Sequence, residues 1–167
     1  EGNITCQNVW WSPDGRSLAW SDALGIWLSD ARSSSLRQIQ SNRIKIMDPK
    51  NQESEIKVTY EVISWSPDSR FLLVKIIPSA QGVQWYSVLD TRMERLVDIP
   101  GTADFLTPTS KIAWTNAGDL WFASSSDPQV EQDAFIQVWK IVPTHNALLV
   151  AGDRYQLSQS SSGALKT

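Results

Sequence analysis

Apolar residues fall in short runs separated by clusters of Gly, Ser, Asp and Pro, and no window sustains the 3.6-residue period of an amphipathic helix. The pattern predicts strands at 7–11, 17–21, 25–29 and 36–40, then at 58–65, 71–77, 83–89 and 95–99, and finally at 104–114, 120–124, 135–142 and 147–151. Trp, Val and Ile within these runs suit a pleated, half-buried surface. The chain is therefore expected to be all-β.

The strands group into repeated units. Trp11-Ser12-Pro13-Asp14-Gly15-Arg16-Ser17-Leu18 recurs 54 residues later as Trp65-Ser66-Pro67-Asp68-Ser69-Arg70-Phe71-Leu72. Further along, Asp30, Arg32, Leu36 and Ile39 match Asp90, Arg92, Leu96 and Ile99, now at an offset of 60. The six extra residues belong between the two motifs, where 77–83 is longer than its counterpart 21–25. A weaker third copy surrounds Trp114, which keeps the aromatic, a polar turn and an apolar run but has lost Ser-Pro-Asp.

Units of this length with four antiparallel strands have the period and content of propeller blades. The phrases WSPDGRSLAW and SWSPDSRFLLV resemble the repeat of TolB-like, WD40-like bacterial β-propellers. The resemblance implies one propeller-type domain over 1–167. Its blades would lie at about 5–40, 56–99 and 103–152, with a flexible tail at 153–167. Closed propellers usually have four or more blades. Three blades would thus be a partial propeller, or one half of a six-bladed ring completed by a homodimer. An envelope or periplasmic setting is implied by the resemblance alone.

Within the motif, Pro presets a turn, Asp bonds nearby backbone, and Gly accepts positive φ. Trp11, Trp65 and Trp114 are expected to fill the wedges between blades. Trp20, Trp27, Trp85, Trp121 and Trp139 are expected in the core, and Trp10, adjacent to Trp11 on a strand and so facing the other way, at the surface. Asp30 and Asp90 read as caps of hairpin turns, with Arg32 and Arg92 solvated beside them.

Composition then removes whole classes of chemistry. A net charge of −3 gives no basic face for nucleic acid. No apolar run is long enough for a membrane helix, so no transmembrane segment is expected. With one Cys (Cys6) and one His (His145), the chain forms no internal disulfide and assembles no usual zinc site. It carries no G-x-S-x-G elbow, no phosphate-cradling glycine loop and no Ser-x-Asp-x-Gly-x-x-Trp box. No catalytic residue, metal or cofactor is expected.

Function is then expected to be non-enzymatic, a scaffold that captures protein partners on loops. The alternative is the propeller part of a larger hydrolase, prolyl-oligopeptidase-like or lactonase-like, whose catalytic part lies elsewhere. Two long loops are the candidate contacts. In 41–55, Arg43, Lys45 and Lys50 flank Ile44, Ile46 and Met47, an apolar patch edged by positive charge that would also suit an extra strand. In 124–133, Asp127, Gln129 and Glu131 give a dense run of side-chain oxygens that lacks a calcium-loop alternation.

Overall fold

The computed structural model describes residues 7–33, 35–47, 52–80, 83–99, 111–124, 135–143, 147–156, 158–159 and 165–166. All regular structure among them is β-strand. Two compact units are present, Glu1–Ala103 and Asp104–Thr167.

The first unit holds two antiparallel meanders. Strands β1 (Gln7–Trp11), β2 (Ser17–Asp22), β3 (Gly25–Asp30) and β4 (Leu36–Ser41) form one sheet in chain order. The other sheet also runs in chain order, through β5 (Arg43–Met47), β6 (Glu53–Trp65), β7 (Phe71–Pro78), β8 (Trp85–Asp90) and β9 (Arg95–Asp98). In the second unit, β10 (Lys111–Trp114), β11 (Leu120–Ser124), β12 (Phe135–Pro143) and β13 (Ala147–Gln156) make a third four-stranded meander. A short pair, β14 (Ser158–Gln159) and β15 (Leu165–Lys166), follows. Successive up-and-down antiparallel sheets of this kind have the form of β-propeller blades.

Strand pairing runs past the expected end of the third blade. β13 continues to Gln156, so the tail predicted flexible from 153 begins as strand, because Arg154 and Tyr155 pair with Gln137 and Ile136. The second blade also begins earlier than 56 and carries a fifth strand, β5, on its β6 edge.

The Ser-Pro-Asp turn owes its shape to its serine as much as to its proline. In the first blade the Ser12 hydroxyl donates to Asp14 Oδ1 at 2.6 Å and accepts from the Ser17 N–H at 2.9 Å. In the second, Ser66 donates to Asp68 at 2.5 Å and accepts from the Phe71 N–H at 2.8 Å. Hydrogen bonds from the Ser12 hydroxyl and the Arg16 N–H hold the Asp14 carboxyl below its ordinary pKa. The third turn uses Thr115 instead, whose hydroxyl accepts from the Asp119 N–H at 3.1 Å. Gly15 sits at φ 67°, and its counterpart Ser69 adopts φ 61°. A serine in that strained place has a reason: its Oγ accepts from the Asp14 N–H of the first blade at 3.1 Å.

The core lies between the first two blades. From the first come Ala19, Ile26, Leu28 and Ile39; from the second come Val58, Tyr60, Val62, Trp65, Leu72, Val74, Ile76 and Leu89. Trp65 is 7% exposed, and its indole N–H donates to the Trp10 carbonyl at 3.0 Å. Arg37 reaches across to the Thr91 carbonyl at 3.1 Å and pairs with Glu94.

Trp11 departs from the expected wedge position and is 60% exposed. It pairs with Leu18 as Trp65 pairs with Leu72, so it occupies the same place in its blade. The difference is the neighbour: Trp65 joins the core shared with the first blade, and Trp11 does not. Trp121, expected in the core, is 47% exposed because it pairs with exposed Ala113, opposite the face that carries buried Leu120 and Phe122. Trp114, Trp20, Trp27 and Trp85 are partly buried, Trp10 is 39% exposed, and the Trp139 side chain lies outside the described residues.

Candidate binding site

The segment 41–55, read as a contact loop or an extra strand, supplies β5 (43–47) and the start of β6, which pair as a two-stranded ribbon. β5 pairs with the first half of β6 from Arg43↔Lys57 to Met47↔Glu53, and only Val58 onward pairs with β7. The ribbon therefore extends beyond the rest of its sheet on one side. Its residues alternate with period two. Ile44, Ile46 and Ile56 share one face, while Arg43, Lys45, Glu53, Glu55 and Lys57 share the other.

The positive charges proposed as partner contacts are already matched across the ribbon. Arg43 Nη1 lies 2.8 Å from Glu55 Oε1, and Lys45 Nζ lies 3.1 Å from Glu53 Oε1. Such exposed cross-strand pairs contribute about 0.2–1 kcal/mol each. Lys57, in contrast, makes no ion pair among the described residues. Ile44 and Ile56 pack against the core cluster. Met47 is a strand residue whose side chain lies outside the described residues, and Lys50, Asp127, Gln129 and Glu131 lie outside them altogether.

On the apolar side of the ribbon is a cleft of about 720 Å³. Its apolar lining is Ile46, Ile56, Pro78, Ala80, Val83 and Trp85, joined by Glu55, Lys57 and Ser79. Trp85 is held in place. Its indole N–H donates to Asp98 Oδ1 at 2.9 Å, and the same oxygen accepts from the Ser87 hydroxyl at 2.6 Å. The six-residue insertion read from the repeat offset falls in this neighbourhood, between β7 and β8, so the cleft is built where the second blade departs from the first. The extra strand that 41–55 would suit is the one formed, and the period-two pattern continues from 43–47 into 53–57. Opposite charges at paired positions were the available signal.

The repeated Asp turns serve the fold. Asp30 Oδ1 accepts the N–H groups of Arg32 at 2.8 Å and Ser33 at 2.9 Å, and Asp90 Oδ1 accepts those of Arg92 at 2.9 Å and Met93 at 3.1 Å. Asp90 is fully buried and also takes a two-pronged contact from Arg70, at 2.7 and 3.1 Å on Oδ2. Burial pushes the Asp90 carboxyl up, but the bonds from Arg70 and the Met93 and Arg92 N–H groups outweigh it and hold the carboxyl below its ordinary value. Arg70 in turn lies over the Phe71 ring at 4.8 Å.

Among the described residues no three His, Cys, Asp or Glu side chains gather as a metal site. Cys6 and His145 lie outside those residues. No described helix is long and apolar enough to cross a membrane.

The chain is similar to TolB from Acinetobacter baumannii, with 16% identity and a TM-score of 0.49, over 97% of this chain and 37% of that one. It thus spans about 37% of the length of the TolB chain. No family model and no curated protein matches the sequence.

Proposed function

We propose that the chain is a non-enzymatic protein-interaction scaffold whose contact site is the cleft beside the β5–β6 ribbon. The occupant is an extended segment of a partner protein that inserts a branched or aromatic side chain and offers a carboxylate to Lys57. The observation that carries this reading is the cleft itself: an apolar lining drawn from the β5–β6 ribbon and the β7–β8 connection, an indole bonded to Asp98, and a cation, Lys57, with no ion pair among the described residues. Burying one large apolar side chain there contributes roughly 1.5–3 kcal/mol. An exposed ion pair adds at most about 1 kcal/mol. A single anchor is therefore weak once the cost of association is met, and useful affinity requires contact along the ribbon as well.

The test is selection from a displayed library of random peptides, followed by titration of the enriched peptides against variants. Enriched sequences should combine a large apolar residue with an acidic residue or a free C-terminus. Val83→Glu, an exposed position, should weaken them at least about tenfold, in line with the loss of a 1.4 kcal/mol contact. Failure to enrich such peptides, or binding indifferent to Val83→Glu, would overturn the reading.

A further inference from the structure

One face of the first blade carries Trp11, Leu18, Trp20, Trp27 and Leu36, which lie together because Trp11 pairs with Leu18, Trp20 with Trp27, and Leu36 with Ser29. Trp11 and Leu36 are exposed, and the buried indole N–H of Trp27 has no hydrogen-bond partner. Trp65 and Leu72 on the corresponding face of the second blade are buried in the core shared with the first blade. That interface shows what such a face requires: an apolar sheet beneath the indole, and a backbone carbonyl at the residue just before the partner blade's own motif Trp. For Trp65 that carbonyl belongs to Trp10.

The third blade offers the same elements. Ala113 precedes Trp114 as Trp10 precedes Trp11, and it is exposed. Trp10 pairs with Ala19, and Ala113 pairs with Trp121, so the large and small members of the cross-strand pair have changed places. Trp121 supplies an exposed apolar surface on that face.

We propose that a second copy of this chain seats the Ala113–Trp121 face of its third blade on the Trp11 face of the first blade. The Trp11 indole N–H donates to the Ala113 carbonyl of the second copy, repeating the Trp65 to Trp10 contact. The contact is heterologous, joining two different surfaces. It closes where a twofold axis supplies it twice and otherwise grows into open chains.

Light scattering coupled to size-exclusion chromatography across a tenfold dilution tests this, using the chain with Trp11→Glu and Trp121→Arg as separate variants. Circular dichroism confirms that each variant is folded, both positions being exposed. The unmodified chain should show twice 18.7 kDa or a larger multiple, and each variant alone should fall toward 18.7 kDa. Mixing the two variants should restore dimers, since Trp11→Glu retains an intact Trp121 face and Trp121→Arg an intact Trp11 face. A monomeric parent chain overturns the proposal. So does an oligomer that survives either substitution, or a variant mixture that stays monomeric.

Discussion

Trp11 and Trp65 stand at the same place in the same motif, yet replacing each by Ala should have very different consequences. Trp65 is 7% exposed and bonded to the Trp10 carbonyl, so Trp65→Ala removes a nearly whole ring from the interface between two blades. Truncations of this kind cost about 3–5 kcal/mol. Trp65→Phe keeps most of the buried area but leaves the carbonyl unpaired, at a cost of about 1–2 kcal/mol. Trp11 has 60% of its surface in solvent, and Trp11→Ala should cost less than about 1 kcal/mol in the monomer. Urea unfolding followed by far-ultraviolet circular dichroism gives all three values. Low protein concentration is needed so that self-association does not contribute to the Trp11 result. Equal losses for the two alanine variants would refute the reasoning, because position in the repeat would then decide burial irrespective of the neighbouring blade.

Three other outcomes follow from particular groups. Gly25→Ala should destabilise by at least about 2 kcal/mol in the same assay, since Gly25 has φ 148° and a Cβ there would stand 1.9 Å from the Gln40 carbonyl oxygen. Arg70→Met should cost about 3–5 kcal/mol near neutral pH, because it strands the buried Asp90 carboxylate. In the parent chain the depressed Asp90 pKa stabilises the fold above the ordinary carboxylate range and loses that effect as pH falls through the folded value. Unfolding titrations in acid should therefore show the two proteins converging. Tyr60 is pushed up to about 12, first by burial and then by Asp98, with a bond to Gln40 opposing. The unfolded phenol ionises near 10, so stability should decline as pH rises from about 10 to about 12. Absorbance titration should show a late tyrosine that Tyr60→Phe removes.

Much of the fold was legible because turn chemistry and strand periodicity are local. The Ser-Pro-Asp turns stood where expected, and the six-residue shift between repeat offsets correctly pointed to the β7–β8 connection. Burial was legible only where it depended on the blade's own strands. Trp11 and Trp65 have the same local sequence, and what distinguishes them is the sheet placed against each. Ser69 and Arg70 were likewise opaque in sequence, since one answers to Asp14 of the other blade and the other to Asp90, twenty residues on. The extra strand at 41–55 was one of two readings open in sequence, and the opposite charges of Arg43-Ile44-Lys45-Ile46 and Glu53-Ser54-Glu55-Ile56-Lys57, alternating in register, favour it. The cleft was not visible, because its walls come from three separate segments that converge only in the folded sheet.

The central structural claim is that the motif Trp of the second blade is a buried tie to the first. Nuclear magnetic resonance of the Trp65 indole N–H tests it most directly. The account predicts slow exchange with solvent and nuclear Overhauser contacts to the backbone of Trp10. Rapid exchange, or contacts confined to residues of the second blade, would contradict it.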